Sequence, residues 1–252
     1  PPDHLGYELS NRQALVVTAQ GGELYMTPSY IVDDNLQARV GTVVISQDGT
    51  AQVDVSTTYG GLQYTHTSPI TMLPPHQQES VILQKTNIDN FDLLSFQYHK
   101  KKEQSPQIEE HLTLKVRRFA DPIRNTLSFV PNMMNQMDGL PPEVGQRSQS
   151  VVIRHSFTDT DRWVYELPEH QKIQLPEEVF IKTEFGVYRM EVHVEAGKLI
   201  YERFLQTYQG TFAPSAYSQI MAFYKDIIMS DQQKVMLYGV KKRGSETSVS
   251  AP

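Results

Sequence analysis

The sequence predicts a mainly β protein: a large antiparallel β-sandwich of two packed, twisted sheets, with two or so short helices at its periphery. Three observations carry this. Apolar and polar residues alternate through most of the chain, as in Gln52-Val53-Asp54-Val55-Ser56 and Leu112-Thr113-Leu114-Lys115-Val116. A period of two puts one set of side chains on a buried sheet face and the other in water. Turn residues such as Asp48-Gly49 and Ala196-Gly197 punctuate the alternating runs, and an Asp-Gly pair between two β-branched runs is a strong hairpin signal. Helical signatures are confined to two stretches, one opened by Pro74-Pro75 and one after Pro214.

In chain order, strands are expected near Ala14–Thr18 and Glu23–Thr27, joined by a turn at Gly21-Gly22, with Pro28 stopping the second. Leu36–Ser46 and Ala51–Tyr59 form the clearest hairpin, and Gly60-Gly61 reads as a bend or bulge. A helix is expected from Pro74-Pro75 to about Lys85, because Pro suits a first helical turn whose N–H groups lack partners anyway. Val81 and Ile82 would face its buried side. Phe91–Tyr98, His111–Phe119 and Thr126–Val130 are the next strands. The polar, Pro- and Gly-rich residues 131–149 read as a surface loop or a linker, with Met133, Met134 and Met137 folding back on the core rather than capping a groove.

Val151–Phe157 alternates again, and Asp159-Thr160-Asp161 reads as a turn leading to Trp163 and Tyr165. Val179–Thr183, Tyr188–Val194 and Leu199–Thr207 follow as strands. The strongest helix is Ser215–Ser230, where Tyr217, Ile220, Met221, Tyr224 and Ile228 recur at steps of three and four and fall on one stripe. Lys234–Val240 is a last strand, and 241–252 a flexible polar tail. The two halves share a strands-then-helix outline without a repeat of fixed spacing.

Composition narrows the function classes. The 252 residues are 39% hydrophobic and 21% charged, which suits a packed core rather than a disordered chain. A net charge of -6 argues against a nucleic-acid partner, since phosphate binding needs concentrated Lys and Arg. The one basic run inside the body, His99-Lys100-Lys101-Lys102, is followed by Glu103 and reads as a solvated turn. With no cysteine there can be no disulfide, no thiolate–zinc site and no cysteine nucleophile. No apolar run approaches the roughly 18 residues of a membrane span. The chain starts at Pro1 without a Met or a signal-like apolar segment, as a processed or excised piece of something longer would.

Candidate chemistry is sparse. There is no Gly-x-Ser-x-Gly elbow and no phosphate-loop or dinucleotide fingerprint. Asp159 and Asp161 could begin an oxygen-ligand calcium site, but the Gly and distal Glu of an EF-hand loop are missing, so a solvated turn is the preferred reading. The eight histidines give no pair with zinc-ligand spacing. Glu109-Glu110, Glu177-Glu178 and Glu191 are candidate acids for a glycosidase, which needs two carboxyls across a cleft; each reads better as solvated surface. Trp163, with Arg162 and Tyr165 beside it, could form a sugar- or peptide-binding platform, but burial in the core is preferred.

Several blocks carry a family resemblance. Phe129-Val130-Pro131-Asn132, Pro141-Pro142 and Arg147 precede a strand; Tyr165-Glu166-Leu167-Pro168 and Leu175-Pro176-Glu177 give two Leu-Pro steps. Phe185-Gly186-Val187-Tyr188, Tyr201-Glu202-Arg203 and the helix aromatics Tyr217, Phe223 and Tyr224 follow in order. Together they resemble the C-terminal β-sandwich of unknown function that follows a transglutaminase-like core in bacterial exported proteins (putative cysteine proteases). Leu5-Gly6-Tyr7, Arg12 to Val17 and Gly22 to Pro28 are similar to the segment just past that core.

The resemblance implies that residues 1–35 follow an absent core and pair into the sheets, that 36–240 form the sandwich, with a division near 131–149 left open, and that 241–252 are a tail. Transglutaminase-like catalysis uses Cys, His and Asp together, so without Cys no catalytic residue carries over. The expectation is therefore a non-catalytic accessory or interaction domain with no cofactor and no metal. Its partners would be an intramolecular transglutaminase-like domain and a peptide, protein or glycan, and its location the periplasm or cell envelope. The alternatives are a sugar-active enzyme on a large β-sandwich and a stand-alone binding module of the envelope.

Overall fold

The computed structural model describes residues 9–10, 12–27, 31–101, 105–137, 139–140 and 147–240. Readings placed on Leu5–Tyr7, Pro28, Lys102, Glu103, Pro141-Pro142 and the 241–252 tail lie outside these residues. His99, Lys100 and Lys101 of the basic run lie in a strand, Phe91–Lys101, rather than in the expected turn.

The first half runs β1 (Gln13–Thr18), β2 (Gly21–Met26), β3 (Leu36–Ile45), β4 (Ala51–Tyr59), α1 (Gly61–Thr67), α2 (Pro75–Lys85), β5 (Phe91–Lys101), β6 (Gln107–Val116), β7 (Asp121–Ile123) and β8 (Thr126–Phe129). The second runs β9 (Val151–Ile153), β10 (Phe157–Glu166), β11 (Lys172–Gln174), β12 (Val179–Lys182), β13 (Gly186–Glu195), β14 (Lys198–Thr207), β15 (Gly210–Phe212), α3 (Tyr217–Asp231) and β16 (Val235–Tyr238). Single 3-10 turns precede α2 at Ile70–Met72 and α3 at Pro214–Ala216.

The fold is mainly β, with packed sheets as in a β-sandwich. An eight-stranded sheet in the order β12-β13-β14-β10-β3-β4-β6-β5 packs on a four-stranded sheet in the order β11-β16-β8-β7. Pairing is antiparallel except between β10 and β3, which run parallel along nine residue pairs from Thr158–Leu36 to Glu166–Val44. The large sheet is thus assembled from strands on both sides of residues 131–149, and β3–β10 is its seam.

Alternation along each long strand produces the core. Val43 and Ile45, Val53 and Val55, Leu112 and Leu114, Trp163 and Tyr165 all point to the covered face of the large sheet. Leu127 and Phe129 of β8, Val235 and Leu237 of β16, Ile82 of α2, and Phe223 and Ile227 of α3 close over them in one cluster. Each such side chain contributes roughly 1.5–3 kcal/mol by leaving water. Phe129 meets the Tyr165 ring at 5.4 Å between centroids, and Phe119 stacks on the same ring at 6.1 Å. Trp163 lies fully buried across the seam from Gly41, its partner in register. A Cβ on Gly41 would stand 2.2 Å from the indole, so only glycine leaves room for it.

Several expectations need correction. Residues 159–161 are not a turn: they lie within the ten-residue strand β10. Gly60-Gly61 is not a bulge but the entry to α1, where Asn35 Oδ1 accepts the Leu62 N–H at 2.8 Å while its Nδ2 donates to the Ser156 carbonyl at 2.8 Å. That helix start is held by a residue from another loop, which local sequence does not reveal. β1 and β2 pair with each other in a sheet of their own rather than joining the larger sheets, and the turn between them is Ala19-Gln20, with both glycines inside β2. The run expected over Val151–Phe157 divides into β9 and the start of β10.

The buried stripe of α3 is Ile220, Phe223, Ile227, Ser230 and Asp231, rotated from the expected one, which it shares only at Ile220. Apolar residues flank both stripes. The rotation brings Phe223 against Gly186 and Asp231 onto an arginine of the sheet. Met133 is buried, and Met134 and Met137 pack partly buried on the core, as expected.

Candidate functional site

One band of the large sheet's covered face is polar, although the positions are in phase with apolar neighbours. Register aligns Arg203 of β14 with Asp161 of β10, Asp161 with Arg39 of β3, Arg39 with Thr57 of β4, Thr57 with Glu110 of β6, and Glu110 with Tyr98 of β5. The six therefore form a continuous row across six strands. Two helices cap it: Asp231, at the end of α3, meets Arg203, and Lys85, at the end of α2, meets Glu110.

At the α3 end the contacts are dense. Arg203 donates from Nε to Asp231 Oδ1 at 2.8 Å and from Nη2 to Oδ2 at 3.1 Å, the fork-on-carboxylate arrangement that gives charged hydrogen bonds both strength and direction. Tyr188 donates to Asp231 Oδ1 at 2.8 Å. Arg203 Nη1 stands 3.6 Å from Asp161 Oδ2, Arg39 Nη1 donates to Asp161 Oδ1 at 2.9 Å, and Asn135 Nδ2 donates to Oδ2 at 3.0 Å. Burial opposes the charge on Arg203, but Asp231 and Asp161 outweigh it and hold its pKa above the ordinary value. Burial first, then the Asp231 charge, raises that of Tyr188.

At the α2 end Glu110 is buried and accepts from Tyr59 at 3.0 Å, from Tyr98 and from Lys85. Burial and then the Glu110 charge push both tyrosines well above their usual range, so they act here as neutral donors. The Lys85 ammonium lies 5.6 Å from the Tyr59 ring centre and 5.7 Å from that of Tyr98.

Arg39, Arg203 and Lys85 balance Asp161, Asp231 and Glu110. Asp159, one inward step along β10 from Asp161, is left as an unmatched acid, and its Oδ1 is buried without a partner. Burial raises its pKa to about 7; the nearby Arg203 opposes the shift and Asp161 adds to it.

A cavity of about 270 Å³ lies over the row between Arg39 and Lys85. Gln37, Arg39, Tyr59 and Glu110 from the sheet, His66 and Thr67 from α1, Ile70, Lys85 and Thr86, and Met134 and Asn135 line it.

The residues singled out by sequence do not converge there, with one exception. Glu177 and Glu178 are exposed in the loop before β12. Glu191 lies on the outer face of the sheet, 3.4 Å from Arg189, and Glu109 pairs with Lys101 at 2.5 Å. Glu110 is the exception, and the correction: it is buried in the row rather than solvated. Asp159 and Asp161 are likewise buried, with Asp161 engaged by two arginines. Trp163 and Tyr165 belong to the core, as preferred, while Arg162 faces outward and pairs with Glu202 at 3.2 Å. Among the described residues no group of three or more His, Asp or Glu could hold a metal ion, and no helix is long and apolar enough to cross a membrane.

A second feature stands apart from the row. In the β1–β2 hairpin, Leu15 pairs with Leu24, Gln13 with Met26 and Val17 with Gly22, so Leu15, Val17, Leu24 and Met26 share one face. Their exposures are 65%, 81%, 68% and 58%.

Residues 125–237, from the start of β8 to β16, match the profile of a family described as "Domain of Unknown Function with solved-structure structure (DUF3858)". No curated protein and no solved structure matches the chain. The matched segment holds β10, β12, β13 and β14, one half of the large sheet, together with α3; Arg203, Asp161 and Asp231 fall inside it, while Arg39, Thr57, Glu110 and Lys85 precede it.

Proposed function

We propose that this chain is a non-catalytic accessory β-sandwich that docks, through the apolar face of the β1–β2 hairpin, on a neighbouring transglutaminase-like domain in the cell envelope. The uncovered face of Leu15, Val17, Leu24 and Met26 carries the reading. A two-stranded hairpin is marginal in water without something packed on it, and four large apolar side chains left in solvent forgo a few kcal/mol of burial. The choice of partner rests on the sequence resemblance, which puts a transglutaminase-like core next to such a segment. The outer edges of the large sheet favour the hairpin as the contact: β5 carries a bulge at Leu93–Ser95 and ends in lysines, and β12 is only four residues long, both devices that discourage strand addition.

The lack of chemistry in the polar row supports the non-catalytic part. Glu110, which lines the cavity, and Asp161, behind Arg39, are each held by arginine, lysine, tyrosine or asparagine donors, which leaves neither poised as a general acid or base. Asp159 is not among the cavity's lining residues. Of the carboxylates proposed for a sugar-active enzyme, Glu177 and Glu178 lie on a loop, Glu109 and Glu191 on the outer sheet face, and Glu110 is buried with three donors on it.

The coding sequence before Pro1 is the first test, with a Cys-containing core expected there; its absence would sink the choice of partner. Hydrogen exchange at residues 13–26 is the second. Protection should rise when that polypeptide is attached and should be lost in Leu15→Asp/Leu24→Asp. Unchanged exchange, or peptidase or acyl-transfer turnover by this chain alone, would overturn the reading.

A further inference from the structure

We infer that the cavity over the polar row is a binding site for a short aliphatic carboxylate, with Arg39 and Thr67 as its anchoring donors. This stands independently of how the hairpin is used. Arg39 is 6% exposed. Its Nε donates to Thr57 at 3.2 Å and its Nη1 to Asp161 at 2.9 Å. Nη2 has no partner among the described residues, yet it is not fully enclosed, and Arg39 lines this cavity.

Thr67, which also lines the cavity, repeats the pattern. It is 6% exposed, its hydroxyl makes no hydrogen bond among the described residues, and it too is absent from the fully enclosed unpaired atoms. Both atoms are open to the cavity rather than sealed, so an acceptor bound there replaces water on two donors carried by otherwise buried side chains. Lys85 and His66 add donor character to the rim.

The acids nearby do not reverse that balance. Glu110 already accepts from three donors, and Asp161 lies behind Arg39 and accepts from it. An acceptor bearing negative charge therefore suits the donors better than a neutral one, because charge-assisted hydrogen bonds are about twice as strong. Ile70 and Met134 supply apolar wall for a short stem. At about 270 Å³ the space lies just below the range that holds drug-sized ligands, which limits the guest to a small acid or to one acidic side chain of a peptide.

Both sources offer the same group, and the experiment separates them. Butyrate and N-acetylglutamate methylamide are titrated into isotope-labelled protein while methyl shifts of Ile70, Met134 and Thr67 are followed. Butyramide, the neutral isostere of butyrate, serves as control. For six non-hydrogen atoms a Kd on the order of 1 mM is expected for butyrate. Thr67→Val should weaken it about tenfold or more, the scale of one hydrogen bond to a charged group. Because the Thr67 hydroxyl makes no hydrogen bond among the described residues and valine fills nearly the same volume, this variant should keep the fold; Arg39→Met should abolish binding but also disturbs the row. Tighter binding of the glutamate derivative than of butyrate would assign the site to a peptide side chain, and the reverse order to a free acid. Silence of the cavity methyls with both acids at about ten times that Kd, equal binding of butyramide, or a Thr67→Val variant that binds as well as wild type would each overturn the inference.

Discussion

The two ends of the polar row are built from the same residue types and behave differently. At the α3 end Arg203 and Asp231 each have side-chain exposures of 1%, and every oxygen of Asp161 and Asp231 has a donor. At the α2 end Lys85 is 31% exposed and a cavity opens beside Glu110. A sealed ion pair is poor evidence of net stability, since desolvation can cancel the attraction, but removing one partner strands the other. What the sealed end does supply is direction. The Arg203 fork donates to Asp231 in one geometry, which fits the stripe of α3 that faces the core. At the open end the pair is looser, and polar atoms are left over for something else.

Four substitutions break or sharpen this contrast. Asp231→Ala should cost most, about 3–5 kcal/mol, because Arg203 would stay buried with only the more distant Asp161 as counter-charge; urea unfolding at neutral pH measures it. Asp159→Asn should act in the opposite direction. The folded-state pKa of Asp159 is raised from 3.8 to about 7, so the native state holds a proton that the unfolded chain releases. Its contribution to stability is therefore constant below about pH 4, falls as the pH rises toward 7, and is fully lost above it. The asparagine variant should remove that slope and gain up to about 4 kcal/mol over wild type at pH 8, with no gain at pH 4. A wild-type unfolding midpoint flat between pH 4 and 7, once the slope of the variant is subtracted, would contradict the charge count of the row.

Lys85→Met should cost only about 1 kcal/mol, since the ammonium is partly solvated and Glu110 keeps both tyrosine donors. A loss as large as that of Asp231→Ala would erase the distinction between the ends. Smallest of all, Thr67→Val should leave the urea midpoint within about 0.5 kcal/mol of wild type, because its hydroxyl stabilises no contact among the described residues.

How much of this was legible in the sequence differs between fold and site. Alternation and turn chemistry give β3, β4, β13 and β14 to within about two residues, because those signals are local, whereas β5 and β6 are displaced by three or four residues at an end and β10 is not read as a strand. The row was missed because its partners are remote: Arg39 and Asp161 are separated by 122 positions. Asp159-Thr160-Asp161 looks like a turn when read alone, since carboxylates are rare on a buried strand. A signal was nevertheless present. Arg39 is in phase with Val43 and Ile45, Glu110 with Leu112 and Leu114, Asp161 with Trp163 and Tyr165, and Arg203 with Tyr201 and Leu205. Charges of both signs at in-phase positions of apolar strands predict one another, because none can be buried alone. The α1 helix and the rotation of α3 were not legible, as each is decided by a contact from elsewhere in the chain.

The parallel seam between β3 and β10 also has a consequence for how the chain folds. The antiparallel pairs β3–β4, β5–β6 and β13–β14 join strands close in sequence, whereas the seam joins residues more than a hundred positions apart. Loop closure over that distance comes before any reward from the contact, and such pairings slow folding. During synthesis β3 must wait with one edge bare until β10 emerges, and during that interval that edge is open to other chains. Arg39 places a charge on that strand that meets its Asp161 partner only once β10 is in register.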